Sequence, residues 1–260
     1  MSEWVEVIIL GIIEGITEFL PISSTGHLLL AQQWMTHPQS DLFLVVIQSG
    51  AVLAVILIFQ ERLLSLLRTW KSPESFDYLK KLSAAFLLTA VGGLTLKALH
   101  FELPETAGPV GWALLIGGVL FIVIERWMKG KDLSPNITWS IALAIGASQL
   151  VAAVFPGTSR SGSTILIALI LGLNRKAAVE FSFLLGVPTL LAAAGLKIVS
   201  HLAEPSEEVV NWGLLALGTL VSGIVGFIAV KWLLNYVQSN TFDRFGYYRI
   251  MVGIGVLLFA

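Results

Sequence analysis

Glu14 and Glu18 stand four residues apart in "EGITEFLPISSTGH", so on a helix they share one face. Pro21, Ser23, Ser24, Thr25 and His27 follow at once. Two carboxylates inside otherwise apolar sequence are costly unless water or a partner reaches them. Oxygen ligands of this kind suit a divalent cation, Mg²⁺ or Ca²⁺, and either acid is also a candidate general base. The plainer alternative is a pair of buried acids bonded to neighbouring helices.

The stretch "PISSTGH" reads as the start of a new helix, with Ser23 or Ser24 as its N-cap. His27 lies three residues after Ser24, close to one turn, so a hydroxyl–imidazole contact is expected. That is the pattern of a nucleophile beside its base; the plain alternative is a histidine held in packing by hydrogen bonds. A second stretch, "PGTSRSGST", surrounds Arg160 with Ser159, Ser161, Ser163 and Thr164. Guanidinium, hydroxyls and the free N–H groups of a helix N-terminus together make a cradle for an oxyanion, and phosphate suits it. An ion pair between Arg160 and Glu14 or Glu18 is the structural alternative, and both roles are compatible in empty and filled states.

These groups lie in sequence built for lipid. Of the 260 residues, 56% are hydrophobic and 13% charged, against about 25% charge in a soluble domain. The mean hydropathy is +0.84. A net charge of −1 without a basic tail gives no footprint for nucleic acid, and the absence of cysteine excludes disulfides and thiol chemistry. The acidic start "MSEWVEVIILG" lacks the marks of a signal peptide, so uncleaved insertion is expected.

Six stretches, roughly 42–59, 79–99, 107–125, 177–198, 210–233 and 245–260, are long enough or nearly so to cross about 30 Å of hydrocarbon. Two more, 4–35 and 137–173, are broken near their middles by the polar motifs. Irregular backbone at that depth is tolerated only against protein or a water-filled cavity. Each broken region is therefore expected to be a re-entrant helix pair. With that reading the basic clusters at 62–81, 126–131, 175–176 and 231–249 all fall on one face, the cytoplasmic one, and both termini lie outside. Lys97, Arg160 and Lys197 stand apart from those clusters. At a shift of 135, Gly11 meets Gly146, Glu14 meets Gln149, Pro21 meets Pro156 and Ser24 meets Ser159. The expected fold is an all-α polytopic membrane protein of six transmembrane helices plus two re-entrant helix pairs. It forms a single domain over 1–260, an inverted-topology repeat of roughly 1–125 and 137–260 with its polar sites near the midplane.

The two motifs resemble the signatures of the bacterial undecaprenyl-diphosphate phosphatases, the bacitracin-resistance family. The likeness continues through "FLVVIQSGAVLAVILIF" and "AVEFSFLLGVPTLL" and so covers nearly the whole chain. Thr158 falls where that family accepts several residues. The resemblance implies a metal-dependent membrane phosphatase that recycles the lipid carrier of cell-wall synthesis. It implicates Glu14, Glu18, Ser24, His27 and Arg160, with Ser23, Ser159, Ser161 and Thr164 as supporting hydroxyls.

Residues and resemblance converge on hydrolysis of a lipid diphosphate to the monophosphate and inorganic phosphate. Arg160 would hold the terminal phosphoryl group, Ser24 attack it with His27 as base, and Glu14 and Glu18 hold the cation. His27 as nucleophile is an open variant. The rival class is a transporter or flippase of a lipid phosphate or anion, built on the same inverted repeat. The expected partners are an isoprenoid lipid diphosphate and membrane lipids, with a homodimer left open and no nucleic acid. The expected location is the bacterial inner membrane, with a cleft open to the outer face.

Overall fold

The computed structural model describes residues 2–101, 106–203 and 210–259. Among them are eleven helices: α1 (Glu3–Thr17), α2 (Ser24–Gln33), α3 (Asp41–Ile58), α4 (Gln60–Arg68), α5 (Pro73–Ala98), α6 (Ala107–Met128), α7 (Trp139–Val154), α8 (Arg160–Ile170), α9 (Arg175–Ala203), α10 (Trp212–Tyr236) and α11 (Asp243–Phe259). The protein is an all-helical, multi-pass membrane protein. Five helices, α3, α5, α6, α9 and α10, are long and apolar enough to cross a bilayer. The expected sixth span, 245–260, corresponds to α11 of 17 residues, and its last position lies outside the described residues.

Local chemistry sets these boundaries. Ser72 caps α5 by accepting from Ser75 N at 3.2 Å, and Pro73 occupies the first turn, where its missing N–H costs nothing. Ser40 caps α3, Thr138 caps α7 and Asn211 caps α10 in the same manner. The short α4 was not foreseen. It continues from α3 at Phe59 with Leu66 its buried residue, and Arg62 pairs with Glu180 of α9 at 2.9 Å.

The broken regions become the pairs α1/α2 and α7/α8. Each of these helices has 10 to 16 residues, about 15–24 Å, too short to cross the hydrocarbon alone. Neighbouring long helices pack against one side of them, and Ile8, Ile12 and Ile16 of α1 stay exposed. α1 packs on α10, α7 on α5, α3 on α9 and α10, and α6 on α11. Small residues permit the closest crossings: a Cβ on Gly50 would sit 2.0 Å from the Thr219 carbonyl oxygen. In lipid, where no hydrophobic force drives helices together, such backbone proximity supplies the packing energy.

Candidate active site

Ser23 and Ser159, the residues that launch α2 and α8, hold nearly the same unusual backbone, φ 75° and 72° with ψ 98° and 116°. Each accepts through Oγ from the glycine three residues on, Gly26 N at 3.3 Å and Gly162 N at 3.1 Å. Positive φ at serine costs on the order of 1–3 kcal/mol and persists only where the surroundings over-determine it. The equivalence of these two turns corrects the sequence register beyond the prolines. The shift there is 136, because 157–159 holds one residue more than the matching 22–23. Ser24 therefore corresponds to Arg160, and His27 to Ser163.

Arg249 is the clamp that over-determines both turns. Fully buried on α11, it donates to Pro21 O at 3.1 Å in the first turn, and to Gly157 O at 3.2 Å and Thr158 O at 3.0 Å in the second. It also reaches Ala113 O at 3.1 Å on α6. The sequence reading grouped it with the cytoplasmic basic residues. Its signal was present: a lone arginine inside the apolar run "YYRIMVGIGVLLF" is costly in lipid and marks a site by default.

The two turns open into one cavity of about 620 Å³. Glu18, Ser23, Ser24, Thr25, Ser159 and Arg160 form its polar end. Ser24 is not the cap, since Ser23 takes that role, so its hydroxyl is free to donate to Glu18 Oε2 at 2.6 Å. Arg160 reaches Glu18 Oε1 and the Ser182 carbonyl, each at 3.4 Å, and lies over the Phe19 ring at 5.2 Å. Its buried Nε has no hydrogen-bond partner among the described residues. Gly186 makes room for the guanidinium, for a Cβ there would lie 2.5 Å from Nη1. The ion pair weighed as an alternative is thus present, with long bonds that leave donors over.

Glu14 sits one turn behind Glu18, fully buried, and neither of its carboxylate oxygens has a hydrogen-bond partner among the described residues. This is not an acid bonded into its neighbours. Glu14 and Glu18 together offer hard oxygen ligands, and one or two carboxylates plus substrate phosphate oxygens is the usual arrangement for Mg²⁺. Among the described residues no group of three or more His, Cys, Asp or Glu could hold a metal, so any cation here depends on that pair.

Three expected roles shift. His27 makes no hydrogen bond to Ser24. Its Nδ1 faces the Ser23 carbonyl at 2.7 Å, so Nδ1 carries the proton, and Nε2 accepts from Tyr248 OH at 2.7 Å with the two rings stacked. A carbonyl one turn back outcompetes a hydroxyl whose better acceptor is a carboxylate. Ser161 is buried and bonds Leu20 O at 3.0 Å and Glu18 O at 3.3 Å, which ties one turn to the other. Thr164 donates within its own helix and meets Ser182 Oγ at 2.5 Å. Neither hydroxyl lines the cavity, and neither does His27. Their places support the site from behind. Tyr248 had no sequence signal, because nothing in its spacing ties it to the motifs, and Ser182 stood in the stretch "AVEFSFLLGVPTLL" without being singled out.

The family model for Bacitracin resistance protein BacA matches residues 7–255. The chain belongs to the BacA bacitracin resistance family. A relative from Rhizobium etli, named "Undecaprenyl-diphosphatase", is 52% identical over 256 residues, covering 98% of this chain and 96% of its own length. Relatives of the same name from Rhizobium leguminosarum bv. trifolii and Xanthomonas oryzae pv. oryzae are 51% and 46% identical. They cover 98% and 99% of this chain, and 96% and 97% of their own lengths. The two motifs at the cavity's polar end lie within the matched range.

Proposed function

We propose that this protein is an undecaprenyl-diphosphatase, an enzyme that hydrolyses undecaprenyl diphosphate to undecaprenyl phosphate and inorganic phosphate. The observation that carries the reading is the Ser24 hydroxyl, 2.6 Å from the Glu18 carboxylate and sharing one cavity with Arg160. Arg160 and the N-terminus of α8 hold the terminal phosphoryl group, where fixed positive charge meets the oxygens that gain charge in transfer. Ser24 Oγ attacks that phosphorus in line and gives its proton to Glu18. The bridging P–O bond breaks, its electrons going to the departing lipid monophosphate. Water then attacks the phosphoserine, the Ser24 O–P bond breaks with the Glu18 proton returning to Ser24 Oγ, and inorganic phosphate leaves carrying the protons of the water. Glu18 stands where the base is needed, so it takes the role the sequence gave to His27; His27 holds the first turn in place through Ser23 O and Tyr248.

Glu14 and Glu18 would hold the divalent cation, whose contribution when bound is to offset charge on the diphosphate. The test is phosphate release from undecaprenyl diphosphate by the purified protein in detergent, with chelator and under graded Mg²⁺ or Ca²⁺. Glu14→Gln is expected to raise the half-activating cation concentration about tenfold or more, since it removes charge and keeps shape. An unchanged titration would remove Glu14 from the cation site. No release by wild-type protein under any cation would overturn the enzymatic reading itself. The transport alternative has no support from the relatives, which bear a phosphatase name.

The pairs α1/α2 and α7/α8 read as re-entrant, entering the inner membrane from opposite faces in an inverted repeat. Their ionisable groups are unevenly shared: Glu14, Glu18 and His27 lie on the first pair, and Arg160 on the second. A hydrated cleft is needed on the side of the acids, which favours an opening to the outer face. Thr25 is exposed and lines the cavity, and the chain has no cysteine of its own. A single thiol in Thr25→Cys is expected to react with a membrane-impermeant reagent added to intact cells. Reaction only in inverted vesicles would reverse the orientation.

A further inference from the structure

The cavity that holds Ser24 and Arg160 is not polar throughout. Beyond Thr89 and Gln149 its walls turn mainly apolar, with Ala90, Gly93 and Leu94 from one face of α5 and Leu190, Ala193 and Leu196 from α9, and Lys97 ends the α5 row. The two rows run the same way. Gly186, against the Arg160 guanidinium, marks the polar end of α9, and Leu196 lies about 15 Å farther along that helix. Exposure rises in that direction, from 7% at Leu190 to 44% at Leu196 and 56% at Leu94. The furrow thus begins inside the protein and ends on its surface near the C-terminal end of α5.

Gly93 lies on the furrow's wall. A Cβ there would meet no heavy atom within 4 Å, whereas one on Gly92 would come within 2.5 Å of Leu150. Gly195 and Gly255 are equally open, so what sets Gly93 apart is its place in the cavity wall, where a side chain would narrow the furrow. A ligand would fill it. We propose that the prenyl chain of the lipid diphosphate lies in this α5–α9 furrow, its head-proximal isoprene units passing over Gly93 and the remainder entering the bilayer between Leu94 and Leu196. The placement rests on the diphosphatase reading. Continuity favours it, because the furrow is one cavity with Glu18, Ser24 and Arg160. The other large apolar groove, about 790 Å³ between α3 and α10, reaches none of those residues.

The test is a pair of tryptophan substitutions on α5 in the full-length protein in nanodiscs. Gly93→Trp fills the furrow; Val91→Trp adds the same bulk on a face 64% exposed that does not line the cavity. Gly93→Trp is expected to raise KM for undecaprenyl diphosphate about tenfold or more with kcat within about twofold, the mark of lost uniform binding, while Val91→Trp leaves both unchanged. Wild-type kinetics in Gly93→Trp would overturn the placement, and so would equal losses in both variants, since a block in the furrow acts from one face only. A photoreactive lipid diphosphate carrying a diazirine on its first isoprene unit supplies a readout that needs no turnover. Crosslinks are expected within 86–97 and 189–196, and crosslinks on α10, which lines only the other groove, would overturn the proposal. Failure of the diphosphatase reading shows separately, as absence of phosphate release by the wild type.

Discussion

Ser24→Ala is expected to lower phosphate release by at least roughly 10³-fold while the protein stays folded. The serine that caps α2 is Ser23, so the cap and its bond from Gly26 N survive the change. The loss to the fold is one hydrogen bond, from Ser24 Oγ to Glu18 Oε2, with Glu18 still paired to Arg160. That costs about 1–2 kcal/mol, too little to unfold a membrane protein whose described residues form eleven packed helices. The chemical loss is much larger, because the hydroxyl is the attacking atom and its neighbouring carboxylate has no other proton to take from the protein at that place. Phosphate release and a thermal melt in the same detergent separate the two effects. Retention of more than a tenth of the activity, or a phosphoryl group trapped on His27 in the alanine variant, would remove Ser24 as nucleophile.

Arg160→Lys is expected to cost nearly as much as Arg160→Ala, about 10²-fold in kcat/KM for each. Three features of the site are shaped to a planar guanidinium. It lies over the Phe19 ring at 5.2 Å, fits against Gly186 where no side chain intervenes, and divides its donors between Ser182 O and Glu18. Lysine keeps the charge but presents a compact ammonium on a flexible stem, without the fork that spans two phosphate oxygens. Steady-state kinetics on the two variants decide the matter. A lysine variant with most of its activity at saturating substrate would show that general positive charge suffices and that the fork is not used.

The sequence alone determined much of this protein. Apolar runs of span length, broken twice by proline and hydroxyls, dictate helices in lipid and polar turns enclosed by protein, because backbone in hydrocarbon has no other way to satisfy its hydrogen bonds. Glu14, Glu18, Ser24 and Arg160 were legible for the same reason: each is expensive at that depth and stands out against leucine and valine. The tertiary structure decided which partner each polar group takes. Spacing allowed His27 to face Ser24, but a helical turn also brings the Ser23 carbonyl within 2.7 Å of Nδ1, and Tyr248 arrives from a helix 221 residues away to hold the other nitrogen. Glu18 became the neighbour of Ser24 only because the turn at Pro21 folds the chain back on itself. Arg249 joins both turns from the far end of the chain, and the furrow past Gly93 exists only between α5 and α9 once they are packed. Periodicity reports which residues share a face of one helix; hydrogen-bond competition and the shape of a cavity depend on several helices at once, and only their packing fixes them.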